Sequence, residues 1–237
     1  MGRLSKGLCR VIALAGAMLL GGCAMQNSEY GKNVEQAVLA EADAWLAGAG
    51  ETDYSLGACT PKEGSWYAVE VDGGERGGYR VFVRLTADGA EVRDDRVLAA
   101  LSREMTALAG ESAPEEALCA AWVSFAAGMP ARAWAPGSGL EEVAAEDALR
   151  TDWYLLSSDP DELAAAGADL VLEMSGRGYT GTLHAGVVSE ERLALLQATQ
   201  PQRADLLEDA GLWVRVKPEE ERSRDELEAD IRAGIQD

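Results

Sequence analysis

Histidine is nearly absent from this 237-residue chain: it holds one, His184, against 41 acidic residues. A single histidine with no cluster of free cysteines around it lacks the familiar ligand set of a zinc centre. Basic residues are scarce too, and 21 Lys and Arg leave a formal net charge of -20. Holding a phosphate backbone takes clustered cations, so this composition argues against nucleic acid as a partner. A long apolar run is also missing. The N-terminal stretch from Val11 to Leu20 falls well short of the roughly 20 residues that span a hydrocarbon core as a helix. No Gly-x-Ser-x-Gly elbow occurs, and Gly137-Ser138-Gly139 has the wrong frame for one.

What the N-terminus does hold is ordered: Arg3, Lys6 and Arg10, then the apolar stretch, then Leu20-Gly21-Gly22-Cys23. A basic region, a short apolar region and small residues make a signal peptide, and here a cysteine follows. The segment resembles bacterial prolipoproteins, whose lipobox has an aliphatic residue, two small residues and the acceptor cysteine. That resemblance implies removal of residues 1–22 and a diacylglyceryl group on the Cys23 sulfur, usually with acylation of the new amino terminus. Two or more acyl chains hold a protein stably on its membrane. Ala24 after the cysteine, where the family uses Asp for retention, implies outer-membrane sorting with the domain facing the periplasm. The covalent lipid is the only prosthetic group expected, and no cofactor or metal motif is found.

Cleavage discards Cys9 and lipidation consumes Cys23, leaving Cys59 and Cys119. In an oxidising compartment such a pair is expected to form a disulfide, and closing a loop of about 60 residues would contribute roughly 2 to 4 kcal/mol. The alternative is a pair of small packed thiols, since Cys119 falls in a predicted helix with Leu118, Trp122 and Phe125. The discarded leader holds three basic residues and no acidic one, so 18 basic residues face 41 acidic ones and the mature charge is -23. Such acidity keeps a domain soluble, and it attracts basic partners or cations.

The hydrophobic share of 47% is ample for a buried core. Residues 23–32 read as a lipidated polar tether and 33–237 as a single domain, with 33–130 and 139–237 as candidate halves on either side of Pro136-Gly137-Ser138-Gly139. A helix is expected from Asn33, with Val34, Val38, Ala42 and Leu46 on one face. Strands are expected at Trp66–Val71 and Tyr79–Thr86, around Val92, and at Trp153–Leu156, Asp169–Met174, Tyr179–Val188 and Leu212–Val216. Further helices are expected from Asp95 to Leu108, Ser112 to Gly128 and Leu140 to Leu149, one opened by Ser158 or Asp159 with Pro160 in its first turn, and others from Ser189, Ala204 and the Ser223–Glu226 capping box. Strands that cluster between helices indicate an α+β fold, a mostly antiparallel sheet with packed helices. Trp66-Tyr67 and Trp153-Tyr154 sit at corresponding places in the two halves, which raises an internal duplication.

Gly176-Arg177-Gly178-Tyr179-Thr180-Gly181 has dinucleotide-loop spacing, but a strand follows it where the pyrophosphate needs a helix N-terminus, so it reads as a turn. Asp88–Asp95 lacks the alternating ligands of a calcium loop. Asp159-Pro160-Asp161-Glu162 reads as a helix start, and Glu219–Asp230 as a solvated helix face whose Leu227, Ile231 and Ile235 stripe is a candidate contact. His184 could act as a general base only if a serine and a carboxylate meet it in space. Two functions remain: an envelope interaction protein using Trp134 and the 135–139 loop, or a ligand-binding lipoprotein or hydrolase with a groove lined by Trp66, Trp153 or Tyr154.

Overall fold

The computed structural model describes residues 29–73, 78–135, 137–199, 201, 203–218 and 220–235, so Leu20-Gly21-Gly22-Cys23 lies outside the described residues. It is an α+β protein with two four-stranded, largely antiparallel sheets. The chain forms two compact units. One holds the described residues up to Arg96 together with Met129–Ala135, and the other holds Val97–Gly128 and the described residues from 137 on. The chain passes from the first unit to the second after Arg96, returns after Gly128, and leaves the first unit again after Ala135, beside the 136–139 run.

In the first unit, helix α1 (Glu29–Gly48) lies on an antiparallel meander of β1 (Ser55–Pro61), β2 (Tyr67–Asp72), β3 (Gly78–Thr86) and β4 (Gly89–Asp94), in that order. Val34, Val38, Ala42 and Leu46 repeat every four residues, and they bury against Val69, Val71, Val81 and Val83 from alternate strand positions. The helix begins four residues before Asn33, because no proline intervenes to stop it, so 29–32 are helix and not tether. β1 is a strand without a strand pattern in its sequence. Its sequence has no apolar alternation, and it becomes a strand through pairing with β2 across an irregularity between Leu56 and Cys59.

Polar contacts close this unit at the C-terminal end of α1. Trp45 Nε1 donates to Asp94 at 2.7 Å, and Arg96 bridges Asp94 and Glu51, each at 2.8 Å. The opposite sheet face buries Trp66, Ala68 and Phe82 with Met129 alongside. Arg84 and Arg93 lie 5.0 and 4.7 Å from the Trp66 ring, and Arg93 donates to the Pro130 carbonyl at 2.8 Å. Those contacts attach the 129–135 segment to its own unit.

The second unit contains α2 (Val97–Gly110), β5 (Leu118–Phe125), α3 (Leu140–Glu146), β6 (Leu149–Ser157), α4 (Pro160–Gly176), β7 (Gly181–Val187), α5 (Glu190–Ala198), α6 (Arg203–Asp209), β8 (Leu212–Val216) and α7 (Arg224–Gly234). Its sheet runs β5-β6-β7-β8. Two expectations are corrected here. Residues 118–125, read as part of a helix, form a strand paired with β6 along all eight residues; tertiary pairing overrides the helix propensity of an alanine-rich segment. Ser112 is no cap, and its hydroxyl instead donates to Glu173.

Residues 169–174, read as a strand, lie inside α4, where Leu163, Gly167, Leu170, Val171 and Met174 are buried at helical spacing. That helix is the crossover a parallel pair requires, and β6 and β7 are parallel. The first sheet is wholly antiparallel and the second is not, so the two Trp-Tyr pairs hold different places. Trp66 precedes β2, whereas Trp153 lies within the central strand β6.

Several starts form as expected. Asp159 caps α4 by accepting from the Asp161 and Glu162 amides with Pro160 in the first turn, Ser189 caps α5, and Ser223 with Glu226 makes the reciprocal box on α7. At the end of α4, Gly178 takes a φ of +81° while Tyr179 N–H bonds the Met174 carbonyl. The glycine-rich run is thus a helix stop leading into β7.

Candidate functional site

Strand alternation puts His184 on the face of the second sheet that carries α5 and α6. Pairing aligns Trp122, Asp152, Thr182 and Arg215 in one row across the four strands, and Ala120, Tyr154, His184 and Trp213 in the next. Beyond the second row the sheet is covered: Leu118, Tyr154 and Leu156 pack against Leu193, Leu196 and Leu206. Gly186 makes that cover close-fitting, since a Cβ there would come 2.0 Å from the Asp209 carbonyl at the end of α6. The first row and the outer part of the second are left beside the helices.

The site is a packed stack of rings with charges at its rim. His184 lies on Tyr154 with centroids 4.8 Å apart and planes at 12°, and Trp122 meets Tyr154 edge-on at 5.2 Å. Arg203, the first residue of α6, donates through Nε to the Tyr154 hydroxyl at 3.1 Å and pairs with Asp152. The Tyr154 hydrogen bond and the Asp152 charge raise the Arg203 guanidinium above its ordinary value. His184 Nε2 stands 3.6 Å from Asp152 Oδ1, and its side chain is 17% exposed. Next to it across the β7–β8 ladder, Trp213 is 64% exposed, the most open of the large hydrophobic side chains described.

Asp152 thus pairs with Arg203 and also stands beside His184, and among the described residues no serine or threonine hydroxyl bonds His184. No group of three potential metal ligands occurs among the described residues, and no described helix is long and apolar enough to cross a membrane.

Other candidate residues are placed elsewhere. Trp66, Trp153 and Tyr154 are buried, each within its own unit. Trp134 is buried under Arg132, 4.1 Å from its ring centre, so it offers no contact surface. Leu227 and Ile231 are fully buried, because α7 packs on α4, where Ile231 faces Gly167. Cys59 lies on β1 and Cys119 on β5, one in each unit, and both are unbonded. Burial pushes the Cys59 thiol up to about 11 and the Cys119 thiol up to about 12, which lowers the thiolate fraction of both at neutral pH. Asp152, Arg203 and Trp213 escaped the sequence reading. Their available signal was alternation, Asp152 two before Tyr154 and Trp213 two before Arg215.

No family model, curated protein or solved structure matches the chain.

Proposed function

We propose that this is a lipid-anchored envelope interaction protein, held through Cys23 on the outer membrane and facing the periplasm, which docks another envelope protein by the exposed rim of the second sheet. The lipobox resemblance supports the anchor. Trp213 carries the docking reading: an indole 64% exposed beside a pre-packed Tyr154–His184 stack and the Arg203–Asp152 pair. Interfaces concentrate their energy in Trp, Tyr and Arg set on rigid supports, and here the support is already hydrogen-bonded before a partner arrives. With α1 starting at Glu29, the five residues after Cys23 reach about 20 Å when extended. The first unit therefore stays close to the bilayer.

The test is a photoreactive side chain at Trp213, with Ala229 on α7 as the control position, crosslinked in intact envelopes. A discrete protein adduct from position 213 and none from 229 is expected. Monomer alone from both positions would sink the docking reading.

A further inference from the structure

The second sheet has two edges, and only one is closed. On β5 the outward amides of Ala121 and Val123 donate to Thr106 and Ser102 of α2, at 2.8 and 2.9 Å. β8 ends the other side, and among the described residues no turn, loop or helix bonds the backbone of 212–217. An open edge is a template for another strand.

The side chains along that edge have a definite chemistry. Trp213 and Arg215 point to the same face, and Lys217 follows at the next alternate position. Arg150 continues the same face on β6, two residues before Asp152. Arg150, Arg215 and Lys217 are exposed and make no ion pair among the described residues, whereas Arg177, Arg192, Arg203, Arg222, Arg224 and Arg232 of the same unit are all paired. The two rows running through Asp152 and Tyr154 hold one carboxylate, Asp152, and Arg203 neutralises it. In a chain of net charge -20, this is a local cationic strip ending in an indole.

We infer that the docking partner presents an extended acidic segment, laid along β8 as an added strand, with an apolar side chain against Trp213 and carboxylates against Arg215 and Lys217. This rests on the interaction reading above. The spacing fits: same-face residues of an extended chain recur about every 6.7 Å, the interval expected between Trp213 and Arg215 on β8, with Lys217 following just past the strand's end. Backbone pairing supplies the affinity, and the apolar–x–acidic–x–acidic order sets register and partner choice. The strip also explains how so acidic a protein approaches an acidic partner without general repulsion.

The probe is a dye-labelled peptide of alternating threonines bearing one valine and two glutamates in that order, with a lysine-for-glutamate counterpart. Fluorescence anisotropy is read with the full-length protein in detergent. The acidic peptide should bind and weaken as salt is raised, and the basic one should not bind. The double variant R215E/K217E should lose tenfold or more toward the acidic peptide and gain binding to the basic one, an exchange that misfolding cannot produce. Equal binding of both peptides, or acidic-peptide binding unchanged in R215E/K217E, overturns the inference, as does crosslinking from position 213 to phospholipid alone. A protein adduct at 213 without acidic-peptide binding overturns the acidic segment and leaves the interaction reading standing. Failure of both overturns both.

Discussion

Replacing Gly186 with alanine tests how the helices are seated over the site. The added methyl would lie 2.0 Å from the Asp209 carbonyl and 3.0 Å from the Ala210 Cα, where ordinary contact begins at 3.4 Å. The obstruction is backbone, so no rotamer change relieves it, and β7 and the end of α6 must part by about 1.4 Å in a close-packed interior. That movement draws Leu206 away from Tyr154 and Leu156 and stretches the Arg192–Asp209 pair, now at 2.7 Å. Overpacking of this kind costs about 1 to 3 kcal/mol, and losing part of a leucine's burial, worth about 1.5 to 3 kcal/mol in full, places the expected loss near the top of that range. Urea unfolding of the unlipidated mature chain measures it. Gly176→Ala is the control, because that residue ends α4 with nothing within 4 Å of a Cβ, and an unstrained Gly→Ala change stabilises by about 0.4 to 1 kcal/mol. Equal midpoints for the two variants would refute the seating of α6 on β7.

Three further outcomes follow from the same geometry. Burial raises the Asp95 carboxyl above its ordinary 3.8 despite its bonds to Arg80. A raised carboxylate gives stability that is full below the unfolded value and lost as pH rises through the folded one, so Asp95→Asn should gain on the wild type as pH rises above the ordinary carboxylate range of about 4; urea midpoints from acid to neutral pH check it, and a constant difference contradicts it. Cys59 and Cys119, raised to about 11 and about 12, should titrate as two thiols in urea and react at least about 100-fold more slowly when folded at pH 8, because the thiolate is the nucleophile. Finding no titratable thiol without reductant would restore the disulfide. Ser223→Ala removes the capping box of α7 and should cost about 1 kcal/mol, seen as a lower thermal midpoint and rescued by Ser223→Asp.

Local signals in the chain were legible where the structure depends on local chemistry. The Asp159-Pro160, Ser189 and Ser223–Glu226 starts form as written because each cap bonds amides within three residues of itself. β2 and β3 were legible through alternation, Val69 and Val71 facing Val81 and Val83. What was not legible was decided at a distance. Leu118–Phe125 carries no strand alternation, and its conformation is fixed by β6 and by the hydroxyls of Ser102 and Thr106. Asp169–Met174 alternates like a strand, yet Leu163 and Gly167 upstream extend one buried helical stripe through it. His184 stood out in the sequence by being alone. Its partners could not be identified without the parallel pairing that sets Asp152 and Tyr154 beside it, and no local feature marks Trp213 as the ring left in solvent.

The proposed anchor at Cys23 is tested most directly by the mass of the mature N-terminal peptide. With the wild-type gene expressed in a bacterial host, the peptide should begin at Cys23 and carry a diacylglyceryl group, and the protein should partition into detergent. Cys23→Ser should yield an unmodified chain left in the aqueous phase. A wild-type peptide beginning elsewhere, or beginning at Cys23 with a free thiol, would contradict the account.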